Sequence, residues 1–284
     1  MLINLDKLFE LLPEIKSHHS NKSSAHKFFN EIVNKDVKKY FAENTNEQKD
    51  FGPYGEICLP FHSMGAVKSY DMFDFDGLIL YSYYWINRSR YKKVADLGAN
   101  IGLHSILLSR CGYDVRSYEP DPTHFKILSE NIKSNRCSRV EMHNAAVSDF
   151  TGEMDFIRVL GNTTGSHLAG SKKSPYGELE TISVSVVDIK PIMQWADFIK
   201  FDVEGHESKL VLATKYEDWK NTDAMMEVGT IENASIIFGW LNDIGVSMFS
   251  QKNNWNKVRC LEEMPHTYHE GSLFISVKSE VPWK

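Results

Sequence analysis

The sequence has few cysteines, no long apolar run and only a small excess of one charge. Its four cysteines are far apart among 284 residues and form no Cys-x-x-Cys pair, so neither a zinc site nor a disulfide framework is expected. No apolar run approaches the roughly 20 residues of a membrane-spanning helix. The net charge of −6 comes without a basic block, which disfavours nucleic-acid binding. We therefore expect a cytoplasmic protein with no membrane span and no nucleic-acid partner.

Composition divides the chain into three parts. Residues 1–50 are polar with apolar side chains at helical spacing, including Leu2, Leu5 and Phe9, and predict a helical N-terminal extension. A helix packed on the core is favoured over a membrane or partner helix because its polar face is not basic. Residues 51–90 predict a β-rich, aromatic lead-in, whose tyrosines either line a substrate pocket or join the extension to the core. Residues 91–284 form the main domain, in which strand and helix patterns alternate.

The clearest pattern lies at residues 94–119. A short apolar run predicts a buried strand, and a turn with Gly98 and Gly102 follows it. Apolar residues at helical spacing then predict a helix that ends at Gly112. A second strand ends at Glu119. This order is typical of the first half of a nucleotide-binding α/β fold.

The same stretch indicates which cofactor binds. Gly98-x-Asn100-x-Gly102 departs from the Gly-x-Gly-x-x-Gly spacing of dinucleotide sites. Glu119 is placed to accept hydrogen bonds from two ribose hydroxyls. Asp96 would repel a phosphate and attract an ammonium group. We therefore predict S-adenosylmethionine as the cofactor, in preference to a nicotinamide dinucleotide.

Further cofactor contacts are expected after a third strand at residues 140–143. The small Ala145 allows an adenine to lie against the backbone, and Asn144 can hydrogen-bond the edge of the base. Asp149 could instead meet the adenine amino group, although a turn role before Gly152 fits it better. The predicted cofactor-binding residues are Asp96, Gly98, Asn100, Gly102, Glu119, Asn144 and Ala145.

Four stretches together resemble the FkbM-type methyltransferases. They are DLGANIG at 96–102, YEPD at 118–121, NAAV at 144–147 and IKFDVEGHE at 199–207. The resemblance covers residues from 51 to the C-terminus. It implies an α/β, Rossmann-like class I methyltransferase with a mostly parallel seven-stranded sheet and helices on both faces. It also implies S-adenosyl-L-methionine as donor and, usually, methylation of a hydroxyl on a sugar or small metabolite.

A long polar loop interrupts the strand and helix alternation. Two segments, at 153–159 and 179–186, alternate like antiparallel strands. The connection of about twenty residues between them is long enough to indicate a functional role. Its hydroxyl, amide and imidazole groups resemble the lining of a sugar or polyol site, and Lys173 and Tyr176 follow them. The predicted substrate-binding residues are Asn162, Thr164, Ser166 and His167.

The fourth strand ends in a dense group of ionisable residues. Because ligands lie outside the carboxyl ends of such strands, we predict that Asp202, Glu204 and His206 surround the transferred methyl group. Glu227, at the end of the fifth strand, faces the same crevice.

Asp202 and His206 are the predicted proton acceptors, since histidine has a suitable pKa for a base near neutrality. Asp202 could instead orient the substrate or the methionine amino group. Glu204 could hold His206 in one tautomer, or it could cap the next helix, as we expect Glu207 to do. A divalent metal held by Asp202, Glu204 and His206 is an alternative that the spacing does not require, and we predict no metal.

The sequence therefore predicts an O-methyltransferase for a small hydroxylated or glycosyl acceptor. N-methylation is the nearest alternative. A nicotinamide oxidoreductase is disfavoured because Asn100 replaces a glycine of that fingerprint. A nucleoside-binding protein without activity is disfavoured by Glu119 and by the charged stretch at 202–207.

Overall fold

The computed structural model describes residues 3–42, 47–172 and 177–283, so Leu2, Lys173 and Tyr176 lie outside the described residues. The helices are α1 Leu5–Glu14, α2 Ser24–Ala42, α3 Phe75–Ile86, α4 Leu103–Arg110, α5 Pro122–Ser134, α6 Ile189–Trp195, α7 Glu207–Leu212 and α8 Ile231–Asp243. The strands are β1 Lys49–Asp50, β2 Glu56–Ile57, β3 Ser63–Met64, β4 Val67–Lys68, β5 Lys93–Leu97, β6 Asp114–Tyr118, β7 Val140–His143, β8 Ala146–Ser148, β9 Gly152–Val159, β10 His167–Leu168, β11 Leu179–Asp188, β12 Phe198–Phe201, β13 Asp223–Met226, β14 Ser247–Ser250, β15 Asn256–Lys257 and β16 Leu273–Ser276. Short 3₁₀ turns lie between several of them.

The main sheet has eight strands in the order β15-β14-β16-β13-β12-β5-β6-β7. The five strands from β13 to β7 pair in parallel, whereas β16 is antiparallel to both β13 and β14. The predicted count of seven is therefore one too low. The additional strand is β15, which pairs with the edge strand β14 over two residues and is too short to leave a periodic signal in the sequence.

Each face of the main sheet is covered by its own hydrophobic cluster. Along β12, for example, Phe198 packs on one face and Ile199 on the other, as the alternation of side chains along a strand requires. Helices α3, α4 and α5 supply buried residues to the first cluster, and α6, α7 and α8 supply the second. Within α8, Ile237 and Leu241 face the core, whereas Ile236 is exposed.

A second sheet has the order β10-β9-β11-β8. The predicted antiparallel pairing of the two long segments is confirmed, since β9 and β11 pair over eight residues from Leu179↔Val159 to Val186↔Gly152. The end of β11 also pairs in parallel with β8, close to the carboxyl end of β7. This sheet thereby covers one part of the main sheet at the ends of its strands.

The N-terminal helices pack directly on the rest of the chain. Leu8 and Phe9 of α1 and Val33 of α2 are buried in the same cluster as α3 and α4. The clustered tyrosines of the predicted lead-in, at 81, 83 and 84, lie on a helix, α3, and are buried. The division at residues 50 and 90 stays a prediction. No helix among the described residues is both long and apolar enough to cross a membrane.

Gly98 allows two neighbouring strands to end close together. Its φ is +74°, and a Cβ at this position would lie 1.8 Å from the carbonyl oxygen of Asp202, which follows β12. The glycine is therefore required by the neighbouring backbone, whether or not a ligand is bound. Gly102, with φ +93°, precedes α4 and packs against Leu128 of α5.

We expect Gly98→Ala to destabilise the protein by roughly 2–5 kcal/mol, because a left-handed residue with a Cβ costs about 1–2 kcal/mol and overpacking about 1–3 kcal/mol. Gly239→Ala is the control, since Gly239 lies inside α8 and an added Cβ would touch nothing within 4 Å. Urea denaturation measures both variants. Equal stability of Gly98→Ala and the wild type would contradict the close approach of β5 and β12.

Candidate active site

A pocket lies at the carboxyl ends of β5, β6 and β12. The strand order reverses between β5 and β12, which is where α/β sheets of this kind bind ligands. We call this cavity the inner pocket. Its lining residues are Gly98, Asn100, Tyr118, Glu119, Pro120, His124, Ala145, Ala146, Val147, Phe156, Thr163, Thr164, Ser166, Leu168, Asp202, Val203 and Glu204.

Glu119 is held rigidly at the wall of the inner pocket. One carboxylate oxygen accepts a hydrogen bond from the main-chain N–H of Asn100 at 2.8 Å, and the other accepts one from the N–H of Asp121 at 2.9 Å. Burial raises the pKa of Glu119 to about 8, and the two N–H donors oppose this rise. Each oxygen keeps a second acceptor position, so the carboxylate can receive two further donors from a ligand.

Asp96 lies below the inner pocket and does not line it. The side chain is fully buried, with its carboxylate 2.6 Å from the hydroxyl of Ser105 and 3.3 Å from the Nζ atom of Lys200. The same Nζ donates to the carbonyl of Gly98 at 3.0 Å and lies 3.3 Å from the Asp202 carboxylate. The cation that meets Asp96 is therefore Lys200 of the chain itself, where the sequence suggested a ligand ammonium group.

The other predicted cofactor contacts take several positions. Asn100 lines the inner pocket with φ +51°, and its side-chain oxygen is buried without a hydrogen-bond partner in the described structure. Ala145 also lines the pocket. Asn144 does not, because its amide donates to the carbonyls of Glu119 and Pro120 at 2.8 and 3.2 Å. Asn144 thus fixes the loop that carries Glu119.

A larger cavity of about 1720 Å³ adjoins the inner pocket. We call it the outer pocket. Four residues, Asn100, Thr164, Asp202 and Glu204, line both cavities and form their shared wall. The remaining lining residues of the outer pocket are Val67, Asp71, Met72, Asp74, Asp76, Gly77, Leu80, Tyr81, His104, Val159, Asn162, Gly165, His167, Lys172, Glu227, Tyr268, Gly271 and Ser272.

Carboxylates crowd the shared wall. Glu204 has a left-handed backbone, with φ +54°, and its carboxylate lies 2.6 Å from the Nζ atom of Lys172. Burial and the neighbouring Asp202 raise the pKa of Glu204 to about 7, in spite of this ion pair. The pKa of Glu227 is also raised, by burial and by the charges of Asp202 and Glu204. At least one of these groups is therefore ready to exchange a proton near neutral pH.

Glu207 has a structural role, as the capping interpretation predicts. Its carboxylate accepts the N–H groups of Val203 and Gly205, each at 3.1 Å, and the side-chain amide of Asn233 at 2.9 Å. These groups precede or pack against the start of α7. Glu204, for which the same capping role was an alternative, instead forms the ion pair with Lys172.

His206 lies outside both pockets. Its Nε2 atom is 2.9 Å from the hydroxyl of Ser148, and its Nδ1 atom is 2.9 Å from the hydroxyl of Ser171. Burial and Lys209 lower its pKa to about 4. The expected contact between Glu204 and His206 is not formed, because the two serines occupy both ring nitrogens. The imidazole thereby ties β8 to the loop that covers the pockets.

The four polar loop residues are divided between the cavities. Thr164 lines both pockets, Asn162 and His167 line the outer one, and Ser166 lines the inner one. The hydroxyl of Ser166 already accepts the N–H of Val159 at 3.1 Å, whereas Thr164 donates to the side chain of Asn162 at 2.8 Å.

The loop is fastened at both sides of the inner pocket. Thr163 lies 2.9 Å from the imidazole of His124 in α5. On the opposite side, Lys172 pairs with Glu204.

His104 also belongs to the site, although it was not predicted from the sequence. Its ring lines the outer pocket from the first turn of α4, and its Nδ1 atom is 3.0 Å from the hydroxyl of Tyr84. Burial and Lys200 hold the pKa of His104 well below its usual range, so the ring is neutral. Its position two residues after Gly102 could have indicated a place at the site, because the N-terminus of the helix after such a turn points to the ligand.

The hydrogen-bond acceptors and the apolar side chains of the inner pocket fit a nucleoside that carries a ribose. Glu119 offers two acceptor positions, and Ala145, Ala146 and Phe156 offer an apolar slot for a base. The buried side-chain oxygen of Asn100 has no partner and can accept a ligand donor. Within residues 3–42, 47–172 and 177–283, no three His, Cys, Asp or Glu side chains are grouped so that they could hold a metal ion.

A comparison with known protein families identifies the type of enzyme. The methyltransferase FkbM domain matches residues 96–243, slightly more than half of the chain. No curated protein matches.

Solved structures that resemble the chain include a precorrin-6y C5,15-methyltransferase from Geobacter metallireducens, with 13% identity over 67% of this chain and 83% of the other, at a TM-score of 0.36. An O-methyltransferase from Bacillus cereus in complex with SAH has 11% identity over 69% of this chain and 78% of the other, at a TM-score of 0.36. A SAM-dependent methyltransferase from Agrobacterium tumefaciens has 9% identity over 84% of this chain and 72% of the other, at a TM-score of 0.42. In three other matches the chain spans half or less of the other protein.

The family assignment rests on the domain match, because the structural similarities are distant. The match begins at Asp96 and ends at Asp243, and thus includes Glu119, Asp202 and Glu204 of the two pockets. The chain therefore belongs to the FkbM methyltransferase domain family and is an S-adenosyl-L-methionine-dependent methyltransferase.

Proposed function

We propose that the protein methylates a hydroxyl group of a small polyhydroxylated or glycosyl acceptor. The observation that carries this proposal is the shared wall, which joins the inner pocket, where Glu119 offers acceptors for a ribose, to the larger outer pocket. A donor in one cavity and an acceptor in the other would meet beside Asp202 and Glu204. N-methylation uses the same arrangement, and a product analysis distinguishes the two.

Five residues are proposed to hold the cofactor. Glu119 would accept the ribose hydroxyls, and Asn100 would accept a further donor through its side-chain oxygen. Ala145, Ala146 and Phe156 would enclose the adenine. The bound cofactor supplies a methyl group already activated by the sulfonium, so the protein must orient the acceptor, exclude water and remove a proton.

Glu204 is the proposed proton acceptor. It borders both pockets, and its pKa of about 7 suits a general base near neutrality. Lys172 pairs with the carboxylate and would stabilise its ionised form. As the acceptor oxygen bonds to the methyl group, the hydroxyl proton would pass to Glu204, and the methyl–sulfur bond would break to leave a neutral thioether.

Asp202 and the loop are proposed to position the acceptor. Asp202 is held by Lys200 at 3.3 Å, which keeps the carboxylate at the shared wall. Asn162, Thr164 and His167 would contact the acceptor from the loop side. We assign His206 a positioning role, since its bonds to Ser148 and Ser171 connect the sheet to this loop.

The donor is tested first by thermal unfolding with S-adenosylhomocysteine, with NAD⁺, and with buffer alone. A ligand at a hundred times its Kd stabilises the folded state by about 2.7 kcal/mol. For a chain of this size we expect the homocysteine nucleoside to raise the Tm by roughly 5–10 °C, and NAD⁺ to leave it unchanged. A shift with NAD⁺ alone would overturn the placement of the donor in the inner pocket.

We expect the affinity for S-adenosylhomocysteine to rise with pH up to about 8, the pKa of Glu119 in the free protein. Ribose hydroxyls donate to the ionised carboxylate and favour that form, so binding releases a proton and weakens as Glu119 becomes protonated. Calorimetric titrations at pH 6.5, 7.5 and 8.5 measure this dependence. In Glu119→Gln the affinity should be lower and the pH dependence should disappear; a wild-type affinity that stays constant over this range would exclude the proposed ribose contact.

We expect Glu204→Gln to lower turnover by about 10²–10⁴-fold, the usual contribution of a general base, while binding of S-adenosylhomocysteine persists. In the wild type, kcat/KM should rise with pH through about 7, as Glu204 ionises, and the variant should lose this rise. Methyl transfer from labelled donor to a panel of polyols and glycosides provides the assay. Glu217→Gln, at an exposed carboxylate, is the control. Full activity of Glu204→Gln would remove Glu204 from the mechanism.

A further inference from the structure

The outer pocket has more negative than positive side chains. Among the described residues, six carboxylates line it, at Asp71, Asp74, Asp76, Asp202, Glu204 and Glu227, against one lysine, Lys172. A carboxylate or phosphate group on the acceptor would therefore be repelled, since like charges at close range oppose binding. A neutral or cationic acceptor is compatible with this lining.

Most of these carboxylates already have partners. Asp74 accepts the N–H of Gly77 at the start of α3, at 2.7 Å. Asp71 accepts the N–H of Lys68 at 2.8 Å, and Asp76 lies 2.9 Å from the imidazole of His26.

At the shared wall, Asp202 lies 3.3 Å from Lys200 and Glu204 lies 2.6 Å from Lys172.

Glu227 is the exception. Its carboxylate has neither a hydrogen bond nor an ion pair within the described parts of the chain, although its main-chain N–H bonds to the carbonyl of Phe201. The side chain is only partly accessible and faces the outer pocket at the end of β13. Burial and the charges of Asp202 and Glu204 raise the pKa of Glu227, and Lys200 offsets this rise only in part. A cation bound in the outer pocket would favour the ionised carboxylate and would give it the ion-pair partner that the described residues do not provide.

An aromatic ring faces the same place. Tyr268 is 55% exposed, yet it lines the outer pocket and interacts with the charges of Glu204 and Glu227. It also lies against Gly229, where an added Cβ would be 2.8 Å from the tyrosine ring. A carboxylate beside an aromatic ring is a favourable environment for an ammonium group, which gains both an ion pair and a cation–π contact.

We infer that the acceptor carries a protonated amine, which binds between Glu227 and the ring of Tyr268. The acceptor is then an amino sugar or another amine-bearing polyol. Its hydroxyl would lie at the shared wall beside Glu204. This inference rests on the proposed function, because it assigns the outer pocket to the acceptor.

Three six-carbon polyols that differ at one position test the inference. Glucamine, sorbitol and gluconate carry an ammonium, a hydroxyl and a carboxylate group at the same carbon. Each is titrated into the protein saturated with S-adenosylhomocysteine, and binding is measured by saturation-transfer NMR and calorimetry. We expect glucamine to bind about 10- to 100-fold more tightly than sorbitol, as a charge-assisted hydrogen bond allows, and gluconate to bind least.

Two variants locate the amine. Glu227→Gln keeps the shape of the side chain and should remove the preference for glucamine without changing the binding of S-adenosylhomocysteine. Tyr268→Ala should reduce the preference in part. Glu217→Gln is again the exposed control and should behave as the wild type. If Glu227→Gln does not fold, the preference for glucamine is tested with Tyr268→Ala alone. This variant should fold, because the ring of Tyr268 is largely exposed and does not belong to the core.

The outcomes separate the inference from the function on which it rests. Four results would each overturn the amine site. These are equal binding of glucamine and sorbitol, tighter binding of gluconate, no binding of any polyol, and a preference for glucamine that survives in Glu227→Gln. In those cases the proposed methyltransferase site stands if S-adenosylhomocysteine still binds. Failure of S-adenosylhomocysteine to bind the wild type would instead overturn the assignment of the two pockets.

Discussion

The buried ammonium group of Lys200 is the interaction on which the arrangement of the site depends. It lies between the carboxylates of Asp96 and Asp202 and also donates to the carbonyl of Gly98. These residues belong to β5, to β12 and to the two turns that follow them. A single cation therefore joins the strands between which the sheet order reverses. It also balances charge that would otherwise be uncompensated in the core, where an unpaired carboxylate costs several kcal/mol.

From this base the site is built in two layers of different rigidity. Glu119 and Asp202 stand on strand ends and are fixed by main-chain or buried contacts. The opposite wall comes from the loop after β9, which is attached through Thr163 and Lys172. A rigid base can hold a cofactor common to the family, whereas a loop can vary with the acceptor. The division matches the chemistry, because the donor is constant and the acceptor is specific.

Local sequence patterns predicted the parts of the fold that depend on neighbouring residues. The strand, turn and helix around Gly98 are set by short-range periodicity and by the turn glycines. Two side chains at the site could not be assigned in this way. Lys200 lies within an apolar strand, and two of its partners, Asp96 and the carbonyl of Gly98, come from β5 and the turn after it. The orientation of His206 depends on Ser148 and Ser171, which are distant in sequence, so its position next to the acidic residues suggested a catalytic role that its contacts do not support.

The shared wall contains two non-glycine residues with left-handed backbones, Asn100 and Glu204, at φ +51° and +54°. Each such conformation costs about 1–3 kcal/mol unless the surrounding structure enforces it. Glycine would adopt both conformations without strain, but it would lose the side chains that border the two pockets. Selection for stability and selection for chemistry therefore oppose each other at these two positions. A design that optimised stability alone would replace the residues beside which the donor and the acceptor are proposed to meet.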